Sequence, residues 1–235
     1  NLQYSYNDQK ASKITLFTSS MPNEGKSFIS INIASALAIA NRKTVILEMD
    51  LRKPKVSQYM NQRSKIGLSN YLIGEVTKEE IVQQSEIHPN LFLIATGPLP
   101  PNPSEFLGHK LIDELFQWLR TEFDEIIVDT PPIGLVTDAL VLARVADVTI
   151  YVVRHGVSLK SQIGAIEALY QERKFPAMSI ILNGVKSQGR FGYGYESQYG
   201  YGYGYGYSNT YYTESASKKN TFKLPLFIRN FLRRF

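Results

Sequence analysis

The chain has no cysteine among its 235 residues. Disulfide frameworks and thiolate metal sites are therefore excluded, iron–sulfur chemistry with them, and a reducing compartment is permitted. No apolar run is long enough to span a bilayer, and residues 1–20 lack the pattern of a secretory signal. The opening "NLQYSYNDQK" has no initiator methionine and leads almost directly into a strand pattern, so the chain reads as a piece of something longer. Surplus charge is scarce as well once the chain is divided. The net charge is +5. Residues 186–235 hold eight Lys/Arg and two Asp/Glu, a balance of +6, which leaves 18 basic and 19 acidic side chains in the body, a balance of −1. A nucleic-acid-binding domain carries its basic stripe on the folded surface, so no nucleic-acid partner is expected.

What is present is a 43% hydrophobic fraction, enough for a core. Apolar, β-branched runs at 14–19, 44–49, 91–96, 125–129, 148–153 and 179–183 read as strands. Helical patterns lie between them at 26–41, 55–61, 78–85, 103–121, 137–145 and 158–173. The strands lack clean polar alternation, as strands covered on both faces do. This alternation predicts an α/β fold with a mostly parallel, doubly wound sheet over residues 1–185. Right-handed crossovers would gather the loops after the strands along one edge, where ligands bind.

The loop "FTSSMPNEGKS" (17–27) follows the first strand and opens a helix. Gly25-Lys26-Ser27 completes a phosphate-binding loop in which Ser20 stands where G-x-x-x-x-G-K-[ST] has its first glycine. Gly25 lets the backbone approach phosphates, and the N–H groups of Pro22-Asn23-Glu24-Gly25-Lys26-Ser27-Phe28, proline excepted, attract anions at a helix N-terminus. Lys26 can neutralise β/γ-phosphate charge, and the Ser27 hydroxyl can bind Mg²⁺. A chance turn with a surface lysine would not need the strand before and the helix after.

Two acidic strand ends adjoin this loop. "ILEMDLRKP" sets Glu48, Asp50 and Arg52 at alternating positions, which extended backbone would point the same way. "IIVDTPP" ends an apolar run on Asp129, in the manner of a Walker B strand. A single strand-end acid often serves only a turn or a cap. Two beside a phosphate loop predict a nucleotide–Mg²⁺ site, with Ser27, Asp50 and Asp129 as metal partners.

"SSMPNEGKS", "ILEMDLRKP" and "IIVDTPP" resemble the Walker A, Walker A′ and Walker B motifs of the bacterial tyrosine kinases of capsule and exopolysaccharide synthesis. "GPLPPNPSEFL" (97–107) and "LVTDALVLARVADVTIYVVR" (135–154) are similar to that family too. The resemblance implies a P-loop NTPase fold of the deviant-Walker, MinD/ParA-like kind. It implies an ATP- and Mg²⁺-dependent tyrosine autokinase in the cytoplasmic domain of an inner-membrane-associated protein. The implied partners are neighbouring copies of the chain, a membrane-embedded polysaccharide co-polymerase module and a cognate phosphotyrosine phosphatase. Lys26, Glu48, Asp50, Arg52 and Asp129 would be the catalytic set. Asn183, ending the last strand, is similar to an adenine-contacting position in related ATPases.

The same resemblance accounts for the low-complexity segment from 186 to 221, where glycine and tyrosine replace periodic apolar residues. Tyr193, Tyr195, Tyr199, Tyr201, Tyr203, Tyr205, Tyr207, Tyr211 and Tyr212 are nine of the fifteen tyrosines. In the family such a cluster is the phosphoacceptor, modified in trans. Glycines would let the chain thread extended into an active site. On composition alone, a stacking segment is the leading reading; beside a nucleotide site, the substrate reading leads. Residues 222–235 form a basic amphipathic end, with Phe227, Phe231 and Phe235 on one helical face.

Two departures from the family stand out. Its Walker A′ motif usually has Asp at both acidic positions, and here the first is Glu48. Its Glu-x-x-Arg-x-x-Arg oligomerisation motif usually lies just before the point where this chain begins, and it does not occur here, so ring assembly by this stretch alone is not expected. The competing readings are a partitioning or cell-division ATPase and a nucleotide-binding scaffold without catalysis. The first would show Lys-Gly-Gly where this chain has Ser19-Ser20-Met21, and it leaves the tyrosines without a purpose.

Overall fold

The computed structural model describes residues 12–62, 64–98, 107–108 and 110–185. The tyrosine cluster at 193–212 and the amphipathic end at 222–235 lie outside the described residues. Among the described residues, seven strands form one sheet in the order β3-β4-β2-β5-β1-β6-β7. They are β1 Lys13–Ser19, β2 Thr44–Glu48, β3 Gln83–Gln84, β4 Leu91–Ile94, β5 Glu125–Asp129, β6 Val148–Arg154 and β7 Met178–Asn183. Every pairing is parallel except the two-residue β3, which runs antiparallel to β4.

The absence of polar alternation in the strands has its cause in two-sided burial. Ile14 and Leu16 of β1, Val45 and Leu47 of β2, and Ile126 and Val128 of β5 pack into one apolar cluster. Their intervening neighbours Phe17, Ile46 and Ile127 pack into a second cluster on the other face. Helix α1 (Lys26–Ile39) covers that second face, burying Ser30, Ala34 and Ala38 at four-residue spacing. It ends where Asn41 turns left-handed (φ 61°) and Arg42 N–H returns to the Leu37 carbonyl, satisfying the last turn. Helix α2 is Val56–Tyr59 and α3 is Leu68–Leu72. On the first face lies α4 (Lys110–Glu122), with Ile112, Leu115, Phe116 and Leu119 buried in the i, i+3, i+4, i+7 pattern of an amphipathic helix. Helix α5 (Asp138–Leu142) runs into a 3₁₀ turn, Ala143–Val145, and α6 is Ser161–Gln171.

The expected helix over 78–85 is replaced by a turn at 78–81 and by β3. Thr77 N–H donates to the Glu80 carboxylate at 2.7 Å, half of a helix-capping box. Buried Ile81 then anchors the turn to the core, and Gln83 and Gln84 pair with Leu93 and Phe92 of β4. Tertiary pairing thus overrides this local helix-start geometry. Helix α3, absent from the sequence-based expectation, is short and follows Gly67, whose carbonyl accepts from Asn70 and Tyr71. Among the described residues no helix is long and apolar enough to cross a membrane.

Candidate active site

The register of the central strands assembles the site. Asp129, at the end of β5, pairs with Phe17 of β1 on one side and Glu48 of β2 on the other. Three strand ends and their following loops therefore meet at one point of the sheet edge, where ligands of open α/β sheets bind.

The phosphate loop bends by way of two left-handed residues, Asn23 (φ 68°) and Gly25 (φ 92°). At Gly25 any side chain would be strained, and a Cβ would also collide with the Asn183 amide. That amide donates 2.9 Å to the Glu24 carbonyl, so Asn183 packs on the phosphate loop. The helix that follows starts at Lys26, and its first-turn N–H groups have no intrahelical acceptor by geometry, the arrangement that receives phosphate oxygens. A second loop braces the first: Ile133 and Gly134 donate their N–H groups to the Ser19 and Ser20 carbonyls.

Asp129 is the hub. Lys26 Nζ lies 2.8 Å from its Oδ1, Ser27 Oγ donates to Oδ2 at 2.7 Å, and Ser30 Oγ donates to Oδ1 at 3.3 Å. Both members of the Lys26–Asp129 ion pair are buried. Ser30 went unremarked at the sequence level; its place one helical turn after Lys26 was the available signal. The cluster fits the expected group: a hydroxyl and a carboxylate in contact are hard oxygen donors suited to Mg²⁺, and the adjacent ammonium and helix N-terminus suit phosphate.

The alternating row Glu48, Asp50 and Arg52 does not persist, because β2 ends at Glu48. Met49 N–H bonds the Asp129 carbonyl, and the chain then turns. Asp50 Oδ1 accepts from Arg52 N–H at 3.3 Å and Lys53 N–H at 3.0 Å, an Asx turn. Arg52 Nε lies 3.8 Å from Oδ2 of buried Asp138, at the start of α5. Glu48 is buried at 1% exposure, with Oε1 accepting from Ser57 N–H and Oγ–H and Oε2 accepting from Thr96 N–H. Burial pushes the Glu48 carboxyl above the usual range; the hydrogen bonds from Ser57 and Thr96 oppose that shift, and nearby Asp129 adds to it. The structure thus brings Lys26, Ser27 and Asp129 into contact, while Glu48 and Arg52 engage partners that the motif alone did not name.

β6 and the loop after it contribute further residues missed by motif reading. Tyr151 Oη is 2.9 Å from Ser20 Oγ, Arg154 Nη1 donates 2.9 Å to the Asn23 carbonyl, and Ser158 Oγ donates to Glu24 Oε1. Lys55, after the Asx turn, reaches the Asn23 side-chain oxygen at 3.4 Å. No spacing rule links these positions to the phosphate loop, since they lie more than 100 residues along the chain or on a different strand end.

Comparison with known proteins agrees with this fold. A family model described as an AAA domain matches residues 22–171. The tyrosine-protein kinase YwqD of Bacillus subtilis (strain 168) is 33% identical over 82% of this chain and 81% of its own length. A relative in the cps region of Klebsiella pneumoniae is 32% identical over 76% of this chain, which spans only 25% of that longer protein. The kinase domain of the Escherichia coli tyrosine kinase ETK superposes with a TM-score of 0.71 at 28% identity, over 83% of this chain and 76% of that one. The septum site-determining protein MinD of Pyrococcus horikoshii OT3, solved with Mg-ADP, has a TM-score of 0.60 at 20% identity over 73% of this chain and 70% of that one, a likeness of fold alone. With a nucleotide-type phosphate loop, an acidic strand end bonded to its lysine and serine, and a Bacillus subtilis kinase matching along most of its own length, the chain belongs to the bacterial tyrosine-protein kinases.

Proposed function

We propose that the chain is an ATP-dependent tyrosine autokinase whose acceptors are Tyr193 to Tyr212 of a neighbouring copy. The observation that carries this reading is the buried Lys26–Asp129–Ser27 cluster beneath a left-handed Gly25, in a chain that also holds nine tyrosines spaced mostly by glycine. Phosphoryl transfer needs charge neutralisation and in-line positioning more than covalent chemistry. The loop N–H groups and Lys26 would bind the β- and γ-phosphates of ATP, with Lys26 exchanging Asp129 for phosphate oxygen. Ser27 and Asp129 would hold Mg²⁺, joined by Asp50 directly or through water, and the bound ion would supply charge neutralisation to the phosphates. The tyrosine Oη forms a bond to the γ-phosphorus as the bond from phosphorus to the β,γ-bridging oxygen breaks, and ADP departs. A phenol of pKa about 10 needs a carboxylate to take its proton. Asp50 is the candidate, because both oxygens of buried Glu48 are engaged by N–H donors, whereas Asp50 lies half-buried in the turn after β2.

A relative named for a cps region supports a role in exopolysaccharide or capsule assembly, and we place that role at the cytoplasmic face of the inner membrane. There the chain would work with a membrane-embedded co-polymerase module and be reset by a phosphotyrosine phosphatase. Mass spectrometry of the protein after incubation with ATP and Mg²⁺ tests the reading. Phosphotyrosine within 193–212, absent from Asp129→Asn, is the expected result. Nucleotide binding without phosphotyrosine would instead support the scaffold reading.

A further inference from the structure

We infer that Glu24 and Ser158 are positioning residues, a latch that holds the phosphate loop in its anion-binding shape from the end of β6. The inference rests on the nucleotide-site reading above, though not on kinase activity itself. Its starting point is an oddity of charge. Glu24 is an acid at 1% exposure inside a loop built to receive anions. Burying a carboxylate there is unfavourable unless both oxygens are bonded. Both are: Oε2 accepts from Met21 N–H at 2.7 Å, closing the loop on itself, and Oε1 accepts from Ser158 Oγ–H. The carboxylate is thus spent on the loop's own scaffold and on its neighbour.

Ser158 is in turn held in place. Its hydroxyl oxygen accepts from Arg154 N–H at 2.8 Å, which leaves its proton for Glu24. The Ser158 N–H donates 2.9 Å to the Arg154 carbonyl, so a tight turn containing left-handed Gly156 presents the hydroxyl. The Arg154 guanidinium reaches across to the Asn23 carbonyl, and Asn183 takes the Glu24 carbonyl. Asn183 itself is tied to the same turn through His155 N–H at 2.8 Å. Consecutive residues of the phosphate loop are therefore fastened to one turn and one strand end, and Glu24 receives two of the fastenings. Losing the Ser158 donor would leave a buried carboxylate oxygen without its bond, and the loop would relax outward to hydrate it. The N–H groups that face phosphate would lose their common direction.

The test measures mant-ADP affinity by fluorescence titration, alongside thermal melting and ATP-dependent phosphotyrosine formation, in the intact chain. Ser158→Ala is expected to weaken mant-ADP binding about tenfold, with Ser158→Thr, which keeps the donor, returning to within about threefold of wild type. Glu24→Ala should weaken binding at least as much, and adding Ser158→Ala to it should cause no further loss, the signature of two residues acting as one unit. In kinase assays the KM for ATP should rise with a smaller change in kcat. Unaltered mant-ADP affinity in Ser158→Ala, or losses that simply add in the double variant, would overturn the latch. So would a fall in melting temperature with no change in affinity, which marks a purely structural role. Wild-type protein that binds mant-ADP with the expected variant pattern but forms no phosphotyrosine would leave the latch standing and sink the kinase reading.

Discussion

Lys26 and Asp129 form a buried ion pair, Nζ to Oδ1 2.8 Å, that ties the first turn of α1 to the end of β5. The two residues are 103 positions apart, and the same carboxylate also binds Ser27 and Ser30. The pair places the lysine proposed to bind phosphate and the acid proposed to bind metal in direct contact.

Removing one partner of such a pair leaves an uncompensated buried charge. Lys26→Met should lower stability by up to about 3–5 kcal/mol and reduce autophosphorylation at least about 100-fold. Adding Asp129→Asn should restore part of the stability and none of the activity. Urea unfolding and phosphotyrosine blots on the three variants check this; a double variant no more stable than Lys26→Met would show that the pair is not coupled.

Gly25→Ala meets two obstacles, the left-handed backbone and the Asn183 amide. The backbone term is about 1–2 kcal/mol, and displacing Asn183 breaks its bond to the Glu24 carbonyl. Nucleotide affinity should fall at least tenfold. Asn183→Ala in the Gly25→Ala background should recover some thermal stability by removing the collision, without recovering affinity. Melting curves and mant-ADP titration separate the two terms.

Glu48 supplies a pH dependence. Its folded-state pKa is raised above the unfolded value by burial. In the window between the two values the folded state holds more protons, so this residue's contribution to stability falls as pH rises through that window. Wild type should therefore gain stability relative to Glu48→Gln as pH is lowered from neutrality towards the ordinary glutamate range. Glu48→Asp, one methylene shorter, cannot span to both Ser57 and Thr96 and should cost about 1–3 kcal/mol. A melting-temperature difference between wild type and Glu48→Gln that stays flat with pH would exclude the effect.

The tail should act as a charge switch. Residues 186–235 carry +6 before modification. Each phosphate adds about −1.5 to −2, so three or four reverse or cancel the balance. Association of copies should weaken on phosphorylation, most at low salt where screening is least. Mass photometry of a chain extended to include the family's N-terminal motif, phosphorylated and phosphatase-treated, gives the answer; equal assembly of both forms at low salt would dismiss the switch.

Much of this was legible in the chain itself. The strand-loop-helix order around Gly25-Lys26-Ser27 and the apolar run ending in Asp129 are local patterns, and local patterns survive folding because backbone approach to phosphate and strand burial are decided within a few residues. Two-sided burial showed through the missing alternation in β1, β2 and β5. The helical pattern over 78–85 gives way to a turn and to β3 because pairing with β4 overrules it. Glu48 was grouped with Asp50 and Arg52 because extended geometry was continued past the point where β2 ends.

The sequence by itself determined the fold class, the phosphate-loop motif and the tyrosine-glycine cluster, since each is written in contiguous residues. Tertiary structure alone decided which acid meets Lys26, what holds both oxygens of Glu48 and what fastens Glu24. Those choices depend on strand order, which sets β5 and β6 on either side of β1 and so brings Asp129, Tyr151 and Ser158 to a loop that precedes them by more than 100 residues. Parallel pairing between distant segments carries no local signature, because the backbone hydrogen bonds that fix it are the same whichever strands they join.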